Sequence, residues 1–221
     1  MSLPENHPRL TRRPFTQGEL IADGLVHAVA MLASVIGLAV LIVLVLMKRG
    51  SLELSAVVIY GIGLLAMFGF SAAYNLVPTS PLKWILRRFD HSSIYLMIAG
   101  TYTPLLTQFG DTGWALALGL MVWAGAIAGI VVKVALPGRF DRLSIGIYVL
   151  LGAMALIAIK PMVATLPAPT LYLLLIGGII YVSGVAFYAW KNLRFNNVIW
   201  HSFVSVAAGC HYAAIAYAMT A

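Results

Sequence analysis

From residue 20 onward the chain is a succession of long apolar runs separated by short polar joints. The runs cover 20–47, 54–76, 91–109, 113–136, 142–160, 170–190 and 198–219. Each is close to the twenty or so residues that a helix needs to cross a bilayer. The pattern therefore predicts an all-α, polytopic membrane protein, a bundle of seven transmembrane helices. Glycine and proline mark the joints, through backbone freedom and a missing N–H. Lys48, Arg49 and Gly50 close the first run, Pro78 and Pro81 lie in the second joint, and Gly110 and Asp111 end the third run. Pro137 and Gly138 end the fourth, and Pro161, Pro167 and Pro169 punctuate the fifth. Residues 1–18 read as a polar cytoplasmic segment and 19–221 as one transmembrane domain.

Composition agrees with this pattern. Hydrophobic residues make up 62% of the 221 positions and charged residues only 10%, against about 25% charged in soluble domains. The opening residues lack the basic start and immediate apolar core of a secretory signal, so the first run is expected to remain as a span. Cys210 is the single cysteine, which excludes an intrachain disulfide.

The net charge of +7 raises the question of nucleic acid, and its distribution answers it. Eleven of the fourteen Lys and Arg fall on one side of the predicted membrane. They are Arg9, Arg12, Arg13, Lys83, Arg87, Arg88, Lys133, Arg139, Arg142, Lys191 and Arg194; Lys48, Arg49 and Lys160 fall on the other. Short cytoplasmic loops collect positive charge. The N-terminus is therefore expected inside and, after seven spans, the C-terminus outside. Membrane lipids, not nucleic acid, are the expected partners, and the location is the inner, cytoplasmic membrane. Trp84, Trp114, Tyr172, Trp190 and Trp200 lie near run ends, as interfacial anchors do.

Polar residues inside the runs carry the candidate chemistry. Glu19, Asp23 and His27 recur every four residues and share one helix face. The competing reading is a solvated first turn, where acids favour a helix N-terminus; His27 lies too deep for it. Ser71 and Asn75 repeat the spacing on the second span, Asn197 and His201 on the seventh, and Asp90 and His91 open the third. Asp90 also suits a helix N-cap, and Ser71 an interhelical hydrogen bond. Polar groups are costly in lipid unless they face a partner or a wet cavity. Their common depth predicts a polar cavity near the cytoplasmic face, lined by Glu19, Asp23, His27, Asn75, His91 and Asn197. His211 reads as a packed polar residue.

The stretches Glu19 to His27, Ser71 to Asn75, and Arg88 to Pro104 resemble the hemolysin III family, which belongs with the progestin and adipoQ receptors. The likeness continues through Ala158 to Pro161, Ile199 to Phe203, and Cys210-His211. It implies a seven-helix bundle and a zinc site near the cytoplasmic face, suspected of hydrolysing a lipid amide or ester. The family's zinc histidines match Asn75, Asn197 and His201, and its serine and aspartate match Ser71 and Asp90, the implied catalytic pair. Two of the three zinc positions thus carry asparagine, which leaves His201 as the one imidazole and predicts weak or absent zinc binding there. The two amides are expected to hydrogen-bond each other. Three functions follow as expectations. The first is membrane homeostasis or sensing of a lipid or fatty-acid ligand. The second is lipid hydrolysis, with a metal or with water activated by Asp90 and His201. The third is a small ion transporter or channel along the Glu19–Asp23–His27 face. Metal content separates the first two, and ion flux in vesicles the third.

Overall fold

The computed structural model describes residues 15–110 and 112–221, without the side chains of 112 and 142. Arg9, Arg12, Arg13, Asp111 and most of the 1–18 segment lie outside the described residues. The helices are α1 (Gln17–Lys48), α2 (Ser51–Leu76), α3 (Pro81–Leu106), α4 (Thr112–Ala135), α5 (Asp141–Ala153), α6 (Ile159–Thr165), α7 (Ala168–Ala189) and α8 (Asn196–Thr220). A single 3-10 turn, Met154–Leu156, follows α5. Among the described residues there is no strand.

α1 begins with a reciprocal cap. The Thr16 hydroxyl accepts the Glu19 N–H at 3.3 Å, and a Glu19 carboxylate oxygen accepts the Thr16 N–H at 2.9 Å. Two otherwise orphaned donors are satisfied together. α3 begins earlier than the apolar pattern predicts. Ser80 caps it by accepting the Lys83 N–H at 3.3 Å, and Pro81 occupies its first turn, where a missing N–H costs nothing. Lys83 turns back and donates to the carbonyls of Tyr74 and Val77, both at 2.7 Å. These close the C-terminus of α2, where the helix dipole favours a cation. Lys83, Arg87 and Arg88 are thus helical, not loop residues. Asp90 stands in the third turn of α3 and is not its cap.

The fifth predicted span is broken. Its two parts, Leu143–Leu156 and Ile159–Thr165, meet at 55°. Pro161 cannot donate back to Ile157, so the helix cannot run straight through. Tyr102 of α3 fills the break: its hydroxyl donates to the Gly152 and Leu151 carbonyls at 2.8 and 3.1 Å and accepts the Ala155 N–H at 2.8 Å.

Among the described residues, five helices (α1, α2, α4, α7 and α8) are long and apolar enough to cross a membrane, and the bent pair makes a sixth if it is one span. α3 is not among them. Its polarity is tolerated because it is interior, packed against α2, α4, α5 and α8. It contributes Met97 and Leu105 to a core shared with Leu41, Tyr60, Leu64 and Ile215. Its other side gives Tyr95, Ala99 and Tyr102 to a core with Leu118, Val122 and Leu151. α2 and α3 approach through glycines: a Cβ on Gly63 would lie 3.1 Å from the Leu96 oxygen, and one on Gly100 3.3 Å from the Tyr60 Cα. Small residues permit this backbone contact between membrane helices. Large apolar side chains instead cover the outside, among them Ile21, Leu25, Val29 and Leu32 on α1 and Tyr172, Leu175 and Ile179 on α7. Trp84 is buried beside Arg87, so it packs inward and is not an interfacial anchor.

α1 and α8 run parallel. At one end Phe195 donates its N–H to Glu19 at 2.9 Å. At the other, Lys48 and Arg49 donate to the Thr220 and Met219 carbonyls at 3.1 and 3.0 Å.

Candidate functional site

The four-residue repeat on α1 turns Glu19, Asp23 and His27 inward, and all three are buried. Glu19 is therefore not a solvated first-turn acid. One of its oxygens caps α1 and the other holds the N–H of Phe195. Phe195 has left-handed backbone geometry, φ 58°, which is strained for a bulky residue. Its bond to Glu19 secures the turn that delivers Asn196 and Asn197 to the start of α8.

Next along α1, Asp23 connects two histidines. Its backbone carbonyl accepts from His27 Nδ1 at 2.8 Å, and its carboxylate Oδ1 accepts from His201 Nδ1 at 2.6 Å. The two imidazoles meet edge to face, with centroids 4.4 Å apart. Because both Nδ1 atoms face acceptors, both carry hydrogen, and in the neutral rings each Nε2 presents a lone pair. Both lone pairs point to the Ser71 hydroxyl, at 3.1 Å from His27 and 3.5 Å from His201.

The amides complete the array. Asn75 Nδ2 donates to the Ser71 carbonyl at 2.9 Å and to its hydroxyl at 3.3 Å. Asn197 Nδ2 donates to Asn75 Oδ1 at 3.3 Å, which joins α2 to α8. Asp90 stands near this array, in the field of His201, Arg87 and Asp23. Ser71, Asn75, Asn197 and His201 thus share one cluster with Asp23 and His27. A small cavity of about 10 Å³ adjoins it, room for roughly one water. It is lined by Phe15, Glu19, Leu20, Asp23, Asn75, Phe195, Asn197 and Val198.

His91 lies apart from this array, on the other side of Asp90. Its ring nitrogens are 3.9 Å from Asp90 Oδ2 and 3.9 Å from Asp141 Oδ1, and its carbonyl accepts from the Tyr148 hydroxyl at 2.9 Å. Asp141 is the centre of a second cluster, accepting from Arg87 at 2.6 Å and Lys133 at 3.0 Å. Burial opposes charge on Asp141, but its bonds to Arg87 and Lys133 outweigh burial and hold the carboxyl at about 2. The sequence pattern did not find this cluster, because its members sit in three separate segments near loops. His211 packs against Tyr181 and faces the Leu174 carbonyl at 3.3 Å.

The donor chemistry can be tested against zinc. At the three family positions, the Asn75 and Asn197 amides bind each other and Ser71, and His201 alone offers an imidazole. Neutral amides are poor zinc ligands, so that set does not fit the metal. A different buried trio does offer suitable donors: Asp23, His27 and His201 each present one ligand atom, all within 4.8 Å of one another.

Fold and site together define a multi-pass helical membrane protein with a buried Asp–His–Ser–Asn cluster on the side where α1 and α8 begin. The family model described as "Haemolysin-III related" matches residues 19–212, and the chain belongs to that family. It is 37% identical over 192 residues to the Hemolysin-3 homolog of Bacillus subtilis (strain 168), covering 86% of this chain and 89% of that one. It is 34% identical over 198 residues to Hemolysin-3 of Bacillus cereus, covering 89% and 90%. The human monocyte to macrophage differentiation factor is 30% identical over 163 residues, covering 71% of this chain and 67% of its own. No solved structure matches the chain.

Proposed function

We propose that this protein spans the inner membrane seven times, with its N-terminus inside, and serves membrane homeostasis by sensing a lipid or fatty acid. The observation that carries this reading is the cavity beside the buried cluster. Glu19, Asp23, Asn75 and Asn197 give it a polar wall, and Phe15, Leu20, Phe195 and Val198 an apolar one. That combination suits an amphiphile with a hydrogen-bonding head. Polar groups at membrane depth stand in need of such a function or a partner. The distribution of Lys and Arg supports the orientation, and the parallel course of α1 and α8 is consistent with an odd number of crossings. The cavity of about 10 Å³ has room for only about one water, so a head group enters only if α1 and α8 part. A photoreactive fatty acid tests the reading. Adducts should concentrate near Leu20, Phe195 and Val198 and fall in Asn75→Leu. Even labelling over the lipid-facing surface, unchanged by that substitution, would refute it.

A second reading, lipid amide or ester hydrolysis, is favoured by the Asp23–His201–Ser71 order. Asp23 fixes the His201 tautomer, and Nε2 then faces a hydroxyl 3.5 Å away. That is the arrangement of a general base that takes a proton from a hydroxyl or a water. Release of fatty acid by the purified protein, lost in Ser71→Ala and in His201→Gln, would move this reading to first place.

A further inference from the structure

Among the described residues, the buried side-chain atoms without a hydrogen-bond partner are the Tyr60 hydroxyl, Arg88 Nε and Ser92 Oγ. Arg88 and Ser92 are four residues apart and share one face of α3. That face is turned to α4. Tyr95 and Ala99, further along it, pack with Leu118 and Val122, and Arg88 directs an N–H at the Val134 carbonyl in the last turn of α4. The contact is 3.5 Å long, at the far limit of a hydrogen bond. Arg88 also has no acid within ion-pair distance among the described residues. Asp141 is shared by Arg87 at 2.6 Å and Lys133 at 3.0 Å, and Asp90 lies beside His91. Arg88 is thus a half-buried guanidinium without a counter-ion. Such a charge is costly at membrane depth unless it is paired. The C-terminal dipole of α4 offers only a fraction of a negative charge.

The surroundings select the kind of anion. Arg88 stands where α3 begins and α4 ends, the level at which a helix leaves the bilayer. Ile85, one turn away on the same side of α3, and Val131 and Val134 on α4 are exposed apolar side chains. On a membrane helix such a surface meets acyl chains. A cation at the end of a lipid-facing groove therefore stands at the height of lipid head groups. A guanidinium matches phosphate with a planar fork of donors and is weakly hydrated. Both unpartnered groups on this face can donate, so the groove lacks acceptor oxygens, which phosphate supplies. Arg139, exposed in the turn after α4, adds positive charge that draws a lipid of net negative charge.

We propose that the end of the α3–α4 groove at Arg88 and Val134 binds the phosphate of an anionic phospholipid. The terminal nitrogens of Arg88 hold the phosphate oxygens, and the acyl chains lie along Ile85, Val131 and Val134. The bound lipid supplies the counter-ion that the chain itself does not. This site lies on other helices than the cavity between α1 and α8, and it does not depend on whether that cavity reads a fatty acid.

The experiment uses the full chain, purified and delipidated in detergent, and native mass spectrometry of lipid binding. Dioleoyl phosphatidylglycerol is compared with dioleoyl phosphatidylcholine. The anionic lipid should bind at least about fivefold more tightly, the scale of one added charge interaction at a membrane surface. Arg88→Gln should weaken that binding by about tenfold, as loss of a charged hydrogen bond does, and Arg88→Lys should fall between, since a point charge replaces the fork. Arg139→Gln should cost no more than about threefold, because Arg139 attracts the lipid but does not hold it. Inorganic phosphate, which has no chains, should not displace the lipid. Should Arg88→Gln fail to fold, a phosphatidylglycerol with a photoreactive acyl chain still tests the unmodified protein: adducts should concentrate at Ile85, Val131 and Val134. The proposal is overturned if the two lipids bind alike, if Arg88→Gln binds undiminished, or if the adducts spread evenly over the lipid-facing surface. Equal losses in Arg88→Gln and Arg139→Gln overturn it in favour of general attraction to a basic surface, and displacement by inorganic phosphate overturns it in favour of a free-phosphate site.

Discussion

Removing the Asp23 carboxylate is the sharpest test of how the site is held. Oδ1 takes the Nδ1 proton of His201 at 2.6 Å and ties α1 to α8. Asp23→Ala deletes a charged hydrogen bond, worth about 1.5–3 kcal/mol, and strands the His201 N–H, for a further 1–3 kcal/mol. The adjoining cavity of about 10 Å³ lets a water recover part of that loss, so the expected net destabilisation is about 2–4 kcal/mol. Asp23→Asn keeps an acceptor oxygen in the same place and loses only the charge, so its cost should be about 1 kcal/mol. The His27 bond to the backbone carbonyl of residue 23 survives in both variants. Thermal or denaturant unfolding in chelator-treated detergent buffer measures the series without a metal contribution. Asp23→Ala combined with His201→Ala should cost less than the sum of the single changes, because the stranded N–H disappears. Equal stability of Asp23→Ala and the unmodified protein would refute the reasoning, as would strict additivity in the cycle.

Tyr102→Phe should destabilise by about 2 kcal/mol or more, since it strands the Ala155 N–H and the Gly152 carbonyl at the helix break; hydrogen exchange of 151–156 should rise. Gly63→Leu forces α2 from α3, because even a Cβ there would sit 3.1 Å from the Leu96 oxygen and the Met97 Cα; expression of folded protein should fall sharply, while Gly146→Ala, facing open space, should be tolerated. The Asp141 carboxyl is depressed from 3.8 to about 2, so below its unfolded value the unfolded state binds more protons. The stability it supplies is complete above about pH 4 and lost as pH falls through about 2, and Asp141→Asn should flatten that part of an acid-unfolding curve. A reporter fused after Ala221 should read as external, and a cytoplasmic reading in a stably inserted protein would refute seven spans from an inside N-terminus.

The sequence alone determined the helical membrane character of this protein. Lipid contact demands apolar surface along whole helices, so α1, α4 and α7 announce themselves through runs that face lipid on most sides. The same rule makes interior α3 hard to read: shielded by α2, α4, α5 and α8, it is free to carry Arg87, Asp90 and His91, and its first ten residues resemble a loop. Four-residue spacing also put Glu19, Asp23 and His27 on one face, and Ser71 with Asn75 on another, because helix geometry is local. Tertiary structure decided which faces meet. The bond from Asp23 to His201 joins residues 178 apart in the chain, and no periodicity encodes it. Nor does periodicity place His91 beside Asp141 or seat the Tyr102 hydroxyl in the break after α5. Those pairings arise from helix packing through small residues such as Gly63 and Gly100, where backbone proximity sets the register and side chains then find the nearest complementary group.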